Sequence, residues 1–146
     1  MKKATCVDKN GKKPLVAMII SRDGLVDLLG PLGFAITEAA CDFDVSIYFM
    51  GPGVKVLHRN YKGLLPGLWA PFSRFARKGM EGMGHVSAKD KLEQLRSTGA
   101  TFYVCHPSLV AMNIKLSSLS YQDEIILAEY AAFLEVMKNA AIALCP

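Results

Sequence analysis

Three short apolar runs, with helical patterns after the first and third, restrict this chain more than any other feature. They are PLVAMII (14–20), DVSIYFMG (44–51) and ATFYVC (100–105). Runs of this length, rich in β-branched and aromatic residues, have the sequence form of strands buried on both faces of a parallel sheet. The segments between them read as helices. Ser21 or Asp23 can cap a helix over 24–40, although the Gly30-Pro31 pair inside it predicts a kink or a break. Ser87 is placed to cap a helix over 87–99, in which Leu92 and Leu95 share a face and Gly99 fits the position just past the end. A short helix with Pro107 in its first turn follows the third run. Of the remainder, 54–57 (VKVL) fits a short continuation of the second strand and 123–128 (DEIILA) a strand or a helix start. A helix over 128–139 and a last strand over 141–145 (AIALC) close the chain. Alternation of this kind predicts an α/β sandwich with a mostly parallel sheet.

With 146 residues the chain is expected to form one domain over 14–146, preceded by a flexible basic arm over 1–13. Hydrophobic residues make up 51% against 21% charged, so either the core is large or some apolar surface serves an interface. Lys2, Lys3, Lys9, Lys12 and Lys13 concentrate positive charge ahead of the first apolar run, and the rest carries mixed charge. No nucleic-acid partner is therefore expected. The basic start leads into a polar stretch rather than an apolar signal core, and no run approaches the roughly 20 apolar residues of a spanning helix. The cytoplasm is the expected compartment, where thiols stay free. Cys6, Cys41, Cys105 and Cys145 show neither CxxC nor cysteine–histidine zinc spacing, so no metal and no disulfide framework is expected.

Residues 58–86 break the alternation. Leu64, Leu65, Leu68, Trp69, Phe72, Phe75, Met80 and Met83 are mixed there with glycines, prolines and cations, unlike a further Rossmann-type unit. Within this insert, 71–79 fits one or two amphipathic turns, with Phe72, Phe75 and Ala76 on one side and Arg74, Arg77 and Lys78 on the other. Self-association into a homo-oligomer is expected, because so apolar a domain would otherwise expose a large patch. The alternative is an insert folded back on its own domain. Its composition also permits membrane contact, which is not expected.

Cys105 leads the candidates for chemistry. In a parallel sheet, reactive groups gather at the carboxyl ends of strands, where loops enter helix N-termini. Unpaired amides there favour thiolate over thiol and hold an anionic adduct such as a persulfide, which gives the helix start at Pro107 and Ser108 an anion-stabilising part. The competing reading is an inert core cysteine, since cysteine is among the most buried residue types. Position alone does not decide between them. Cys145 ends the last strand, so in an all-parallel sheet it lies on the same rim and is either a resolving thiol or a core residue. Cys41 falls on the opposite rim and Cys6 in the arm, and neither receives a role. His106 adjoins Cys105 in sequence, yet neighbouring side chains at a strand end diverge, so an auxiliary role stands beside that of a loop residue. His58 and His85 flank the insert without an assigned part. No oxyanion or orienting signature accompanies a protease-like Cys–His pair. GPG (51–53) and GMEGMG (79–84) lack the strand–GxGxxG–helix setting of a phosphate loop, which argues against a flavin or nucleotide binder of flavodoxin type.

Taken in order, these segments resemble the DsrE/DsrF-like sulfur-carrier and sulfurtransferase family, and within it the DsrE2-like branch. EAACDFDVSIYFMGPGV is similar to the family's Ala-rich helix and second strand, and GLLPGLWAPFSRFARKGMEGMG to the insert of that branch. LEQLRSTGATFYVCHPSLVAMNI resembles the signature that delivers a single cysteine, and AEYAAFLEVMKNAAIALC the last helix and strand. The resemblance implies a flavodoxin- or Rossmann-like three-layer sandwich that forms homo-oligomers. It implies that Cys105 accepts sulfane sulfur as a persulfide and passes it between donor and acceptor proteins or thiols, with no metal or organic cofactor. His106-Pro107 departs from the polar or Met-rich residues usual after the cysteine, and Asn113 stands where a glycine is common. The alternative, of a different class, is a non-catalytic oligomeric scaffold with the same fold.

Overall fold

The computed structural model describes residues 13–63, 65, 67–82 and 87–146. Most of the basic arm, including Cys6, lies outside the described residues, as do Leu64, Met83, His85 and the side chains of Leu68 and Met80. Strands β1 (Leu15–Ile20), β2 (Asp44–Phe49), β3 (Thr101–Cys105), β4 (Ile126–Ala128) and β5 (Ile142–Leu144) form one sheet. Its order is β4-β3-β2-β1-β5, and every pairing is parallel. Side chains alternate between two helical layers, as a strand period of two requires. Met18, Ile20, Ile47, Phe49 and Val104 face α1 (Leu29–Ala40) and α3 (Ala88–Ser97), where they meet Leu32, Ala35, Leu92 and Leu95. Ala17, Tyr48 and Cys105 point the other way, onto Phe133 of α5 (Tyr130–Lys138). The chain is thus a three-layer α/β sandwich with a parallel sheet, as the alternation of runs predicts. The ambiguous DEIILA segment resolves as the short strand β4.

Helix α3 follows its sequence signals at both ends. Ser87 Oγ accepts the Asp90 N–H at 3.2 Å, and Gly99 has φ +89° just past the last turn. Helix α1 departs from expectation. It starts at Leu29 rather than near 24, its cap position is Leu28, and neither Ser21 nor Asp23 caps it. Pro31 is the reason: a helix from 24 would bury the proline ring in its interior, where it clashes with the carbonyl four residues back. A start at Leu29 puts it in the first turn, where no N–H is needed.

The VKVL segment is not a strand either. Gly51–Leu57 forms a 3-10 helix whose Val54, Val56 and Leu57 are buried. Gly51 turns the chain out of β2 with φ +49°, Pro52 has no N–H for a sheet ladder, and a Cβ on Gly53 would collide with the Ile20 carbonyl. This turn is tied down beyond its end, where Ser120 donates from its backbone to the Leu57 carbonyl at 2.8 Å. The insert continues as a 3-10 turn, Gly67–Phe72, and α2, Ser73–Gly82. Phe72, Phe75 and Trp69 of the insert are exposed, Phe75 by 76%.

Candidate functional site

Cys105 is both the last residue of β3 and the cap residue of α4 (His106–Ala111). The run Thr101–Cys105 is built for a strand, and Pro107 at the second helical position cannot extend a ladder, so the chain must turn there. Local sequence therefore places the thiol on the carboxyl rim of the sheet. Its side chain faces inward. Cys105 is 1% exposed and packs among Ala17, Tyr48, Ala128 and Phe133.

The polar group in that enclosure is the Tyr48 phenol. Its hydroxyl donates to the Ala128 carbonyl at 3.3 Å, a long bond, and its ring packs in the same cluster as Cys105. Its ring stacks on Phe133 with centroids 4.7 Å apart and meets Tyr130 edge-on at 5.7 Å, so its direction is fixed. Burial, and then the Cys105 thiol beside it, push the phenol above its ordinary value. Tyr48 therefore stays protonated near neutral pH, with its proton directed at the Ala128 carbonyl, and reaching a sulfur anion on Cys105 takes a turn of the hydroxyl away from that long bond. Just past β2, Met50 packs against the same cluster, and the Tyr130 hydroxyl donates to its Sδ at 2.9 Å. That contact ties the end of β2 to the start of α5 beside the thiol.

The other sequence candidates fall in different places. Ser108 Oγ accepts the Gly51 N–H at 2.9 Å, which makes it the clamp between α4 and the Gly51–Leu57 turn. His106 is exposed while Cys105 is buried, so the two side chains diverge, and Pro107 is exposed as well. Helix α4 is six residues long, so the field at its start is modest. Cys145 follows β5 and does share the rim with Cys105. β2 and β1 stand between their strands, however, which puts the two cysteines about 14 Å apart across three strand spacings. The structure does not bring them together. Cys41 is exposed at the end of α1, on the opposite rim. Among the described residues no group of three His, Cys, Asp or Glu side chains is placed to hold a metal ion, and no helix is long and apolar enough to cross a membrane. Two cavities among the described residues, one lined by Leu25, Tyr61 and Phe75 and one by Ile20, Leu28 and Pro146, do not touch Cys105.

Tyr48 is the residue that sequence reasoning misses. The period-two pattern of DVSIYF does set Tyr48 opposite Val45, Ile47 and Phe49. What brings it to Cys105 is the pairing of β2 with β3, with Tyr48 level with Tyr103, and strand order is not written in one sequence.

Residues 30–146 match the model of the DsrE/DsrF-like family. Among solved structures, the crystal structure of ychN protein from E. coli is similar, with a TM-score of 0.64 at 17% identity, covering 92% of this chain and 100% of that one. At that identity the likeness speaks for the fold. No curated protein matches this sequence.

Proposed function

This chain belongs to the DsrE/DsrF-like family of sulfur carriers, and from that premise we propose that it carries sulfane sulfur as a persulfide on Cys105. The observation that carries the proposal is a thiol at the carboxyl rim of the sheet packed in one cluster with a buried, protonated phenol, whose hydroxyl, turned from its long bond to Ala128, could serve the anion that the chemistry requires. The Cys105 thiolate attacks the terminal sulfur of a donor persulfide. One S–S bond forms as the donor's breaks, the donor leaves as its thiol, and no net oxidation occurs. An acceptor thiolate then attacks the terminal sulfur of Cys105 and releases the Cys105 thiolate. Tyr48 stabilises both anionic stages, and His106 stays outside them. The Gly/Met/Phe segment supports placing the chain in the DsrE2-like branch, and the cytoplasm is the proposed compartment.

A second reading rests on one observation, the 1% exposure of Cys105. A sealed thiol fits an oligomeric scaffold that keeps the fold without the transfer. Sulfur transfer requires a reagent to reach Cys105, and that distinguishes the two. Protein loaded from a small-molecule persulfide and then desalted is expected to release a stoichiometric amount of sulfide when an excess of reducing thiol is added. Release of as much by Cys105→Ser, or none by the wild type, favours the scaffold.

A further inference from the structure

On the same rim, but on the α1/α3 side of the sheet, α2 and the start of α3 enclose a groove of about 870 Å³. That is the size range of small-molecule sites. Its charge is one-sided: Lys62, Arg74, Arg77, Lys78 and Lys89 line it against the single carboxylate of Glu81. Among the described ion pairs, none engages any of these five cations. Of the other acids beside it, Asp23 pairs with Lys55 at 3.4 Å and Asp27 with Arg22 at 3.7 Å, and Asp90 accepts from the Ser87 hydroxyl at 2.7 Å. Arg77 is set in place by donating to the Lys62 carbonyl at 2.6 Å.

The rest of the lining is apolar and aromatic. Leu25, Leu29 and Ala88 contribute aliphatic surface, and the rings of Tyr61 and Phe75 add flat faces. The Tyr61 ring is held by its hydroxyl, which donates to the Asp23 carbonyl at 2.8 Å. Five cations along one groove, two of them guanidinium groups able to grip phosphate bidentately, call for a multiply charged phosphate. Aromatic faces in the same groove call for a flat body beside it.

We infer that this groove binds an organic polyphosphate of nucleoside size, its phosphates held by the Arg74, Arg77 and Lys78 side and its ring against Tyr61 and Phe75. The chain has no glycine-rich phosphate loop, so recognition comes from side chains. The site is independent of Cys105 and stands whether or not the thiol carries sulfur.

Isothermal titration of the full chain with ADP, pyrophosphate and adenosine tests this. ADP is expected to bind at least tenfold more tightly than either fragment, and more weakly as salt rises. The double variant Arg74→Glu with Lys78→Glu, both on exposed positions of α2, is expected to lose at least tenfold in ADP affinity while its unliganded melting temperature stays at that of the wild type. The same variants also serve with vesicles of phosphatidylglycerol. Absence of ADP binding at millimolar concentration overturns the proposal, as does unchanged affinity in a folded double variant. Pyrophosphate binding as tightly as ADP, or vesicle binding without any ADP binding, overturns it too.

Discussion

A thiol enclosed as fully as Cys105 reacts only as readily as its surroundings let a sulfur anion form, and the proposed source of that stabilisation is Tyr48, packed in the same cluster. Tyr48→Phe keeps the stack on Phe133 and removes only the hydroxyl. A hydrogen bond to a charged group contributes roughly 1.5–3 kcal/mol, so alkylation of Cys105 at neutral pH is expected to slow by about tenfold or more in this variant. An unchanged alkylation rate would take Tyr48 out of the mechanism. Gly53 tests the packing beside the site. Because its Cβ would press on the Ile20 carbonyl, Gly53→Ala is expected to lose roughly 1–3 kcal/mol in a denaturant titration, and a neutral effect would contradict the close approach. At this scale the sequence was informative about Cys105, whose strand-end position follows from local residues alone. It was silent on Tyr48, whose part depends on which strands are neighbours.

Elements whose ends carry chemical signals were legible, and those bent by contacts were not. Ser87 and Gly99 fix α3 by local hydrogen bonding and backbone freedom, and both are where the sequence puts them. Removing the cap by Ser87→Ala is expected to lower stability by about 1 kcal/mol, read as a shift of the urea midpoint at unchanged slope. A neutral substitution would mean that the bond to the Asp90 N–H adds nothing. Helix α1 was legible only in its second half. The apolar period over 24–40 fits a helix with a kink or a break at Gly30-Pro31, and Pro31 in the first turn goes with a start at Leu29. VKVL has the alternation of a strand, but Gly51, Pro52 and Gly53 route it into a 3-10 turn whose valines reach the same core. Such a choice is made by tertiary contact rather than by propensity. The insert's exposed aromatic side was visible in composition, while the groove that α2 builds with α1 and α3 required the fold.

For the whole molecule, the two faces of the sheet are covered unequally. Helices α1 and α3 and the β3–β4 connection pack on one face, whereas α5 packs on the other and leaves Ile126, Tyr130 and Leu134 exposed. Assembly with further copies through that surface is proposed, and Leu134→Glu is expected to shift sedimentation towards a smaller species. A wild type that sediments as a monomer would contradict it. Stability should also respond to alkali. Burial raises Tyr48, Tyr61 and Tyr121 above the ordinary 10.0, with Tyr121 pushed up to about 12. The folded state thus favours the neutral phenols, whose contribution is complete below that ordinary value and lost as pH rises through the raised ones. The urea midpoint is expected to fall between about pH 10 and 12, and a flat profile there would contradict the burial. The most direct test of the sulfur-carrier role is peptide mass mapping after exposure to a persulfide donor. Cleavage after Arg96 and Lys115 isolates a peptide in which Cys105 is the sole cysteine. That peptide is expected to gain the mass of one sulfur atom and lose it again to an acceptor thiol, and added sulfur confined to Cys41 or Cys145 would contradict the account.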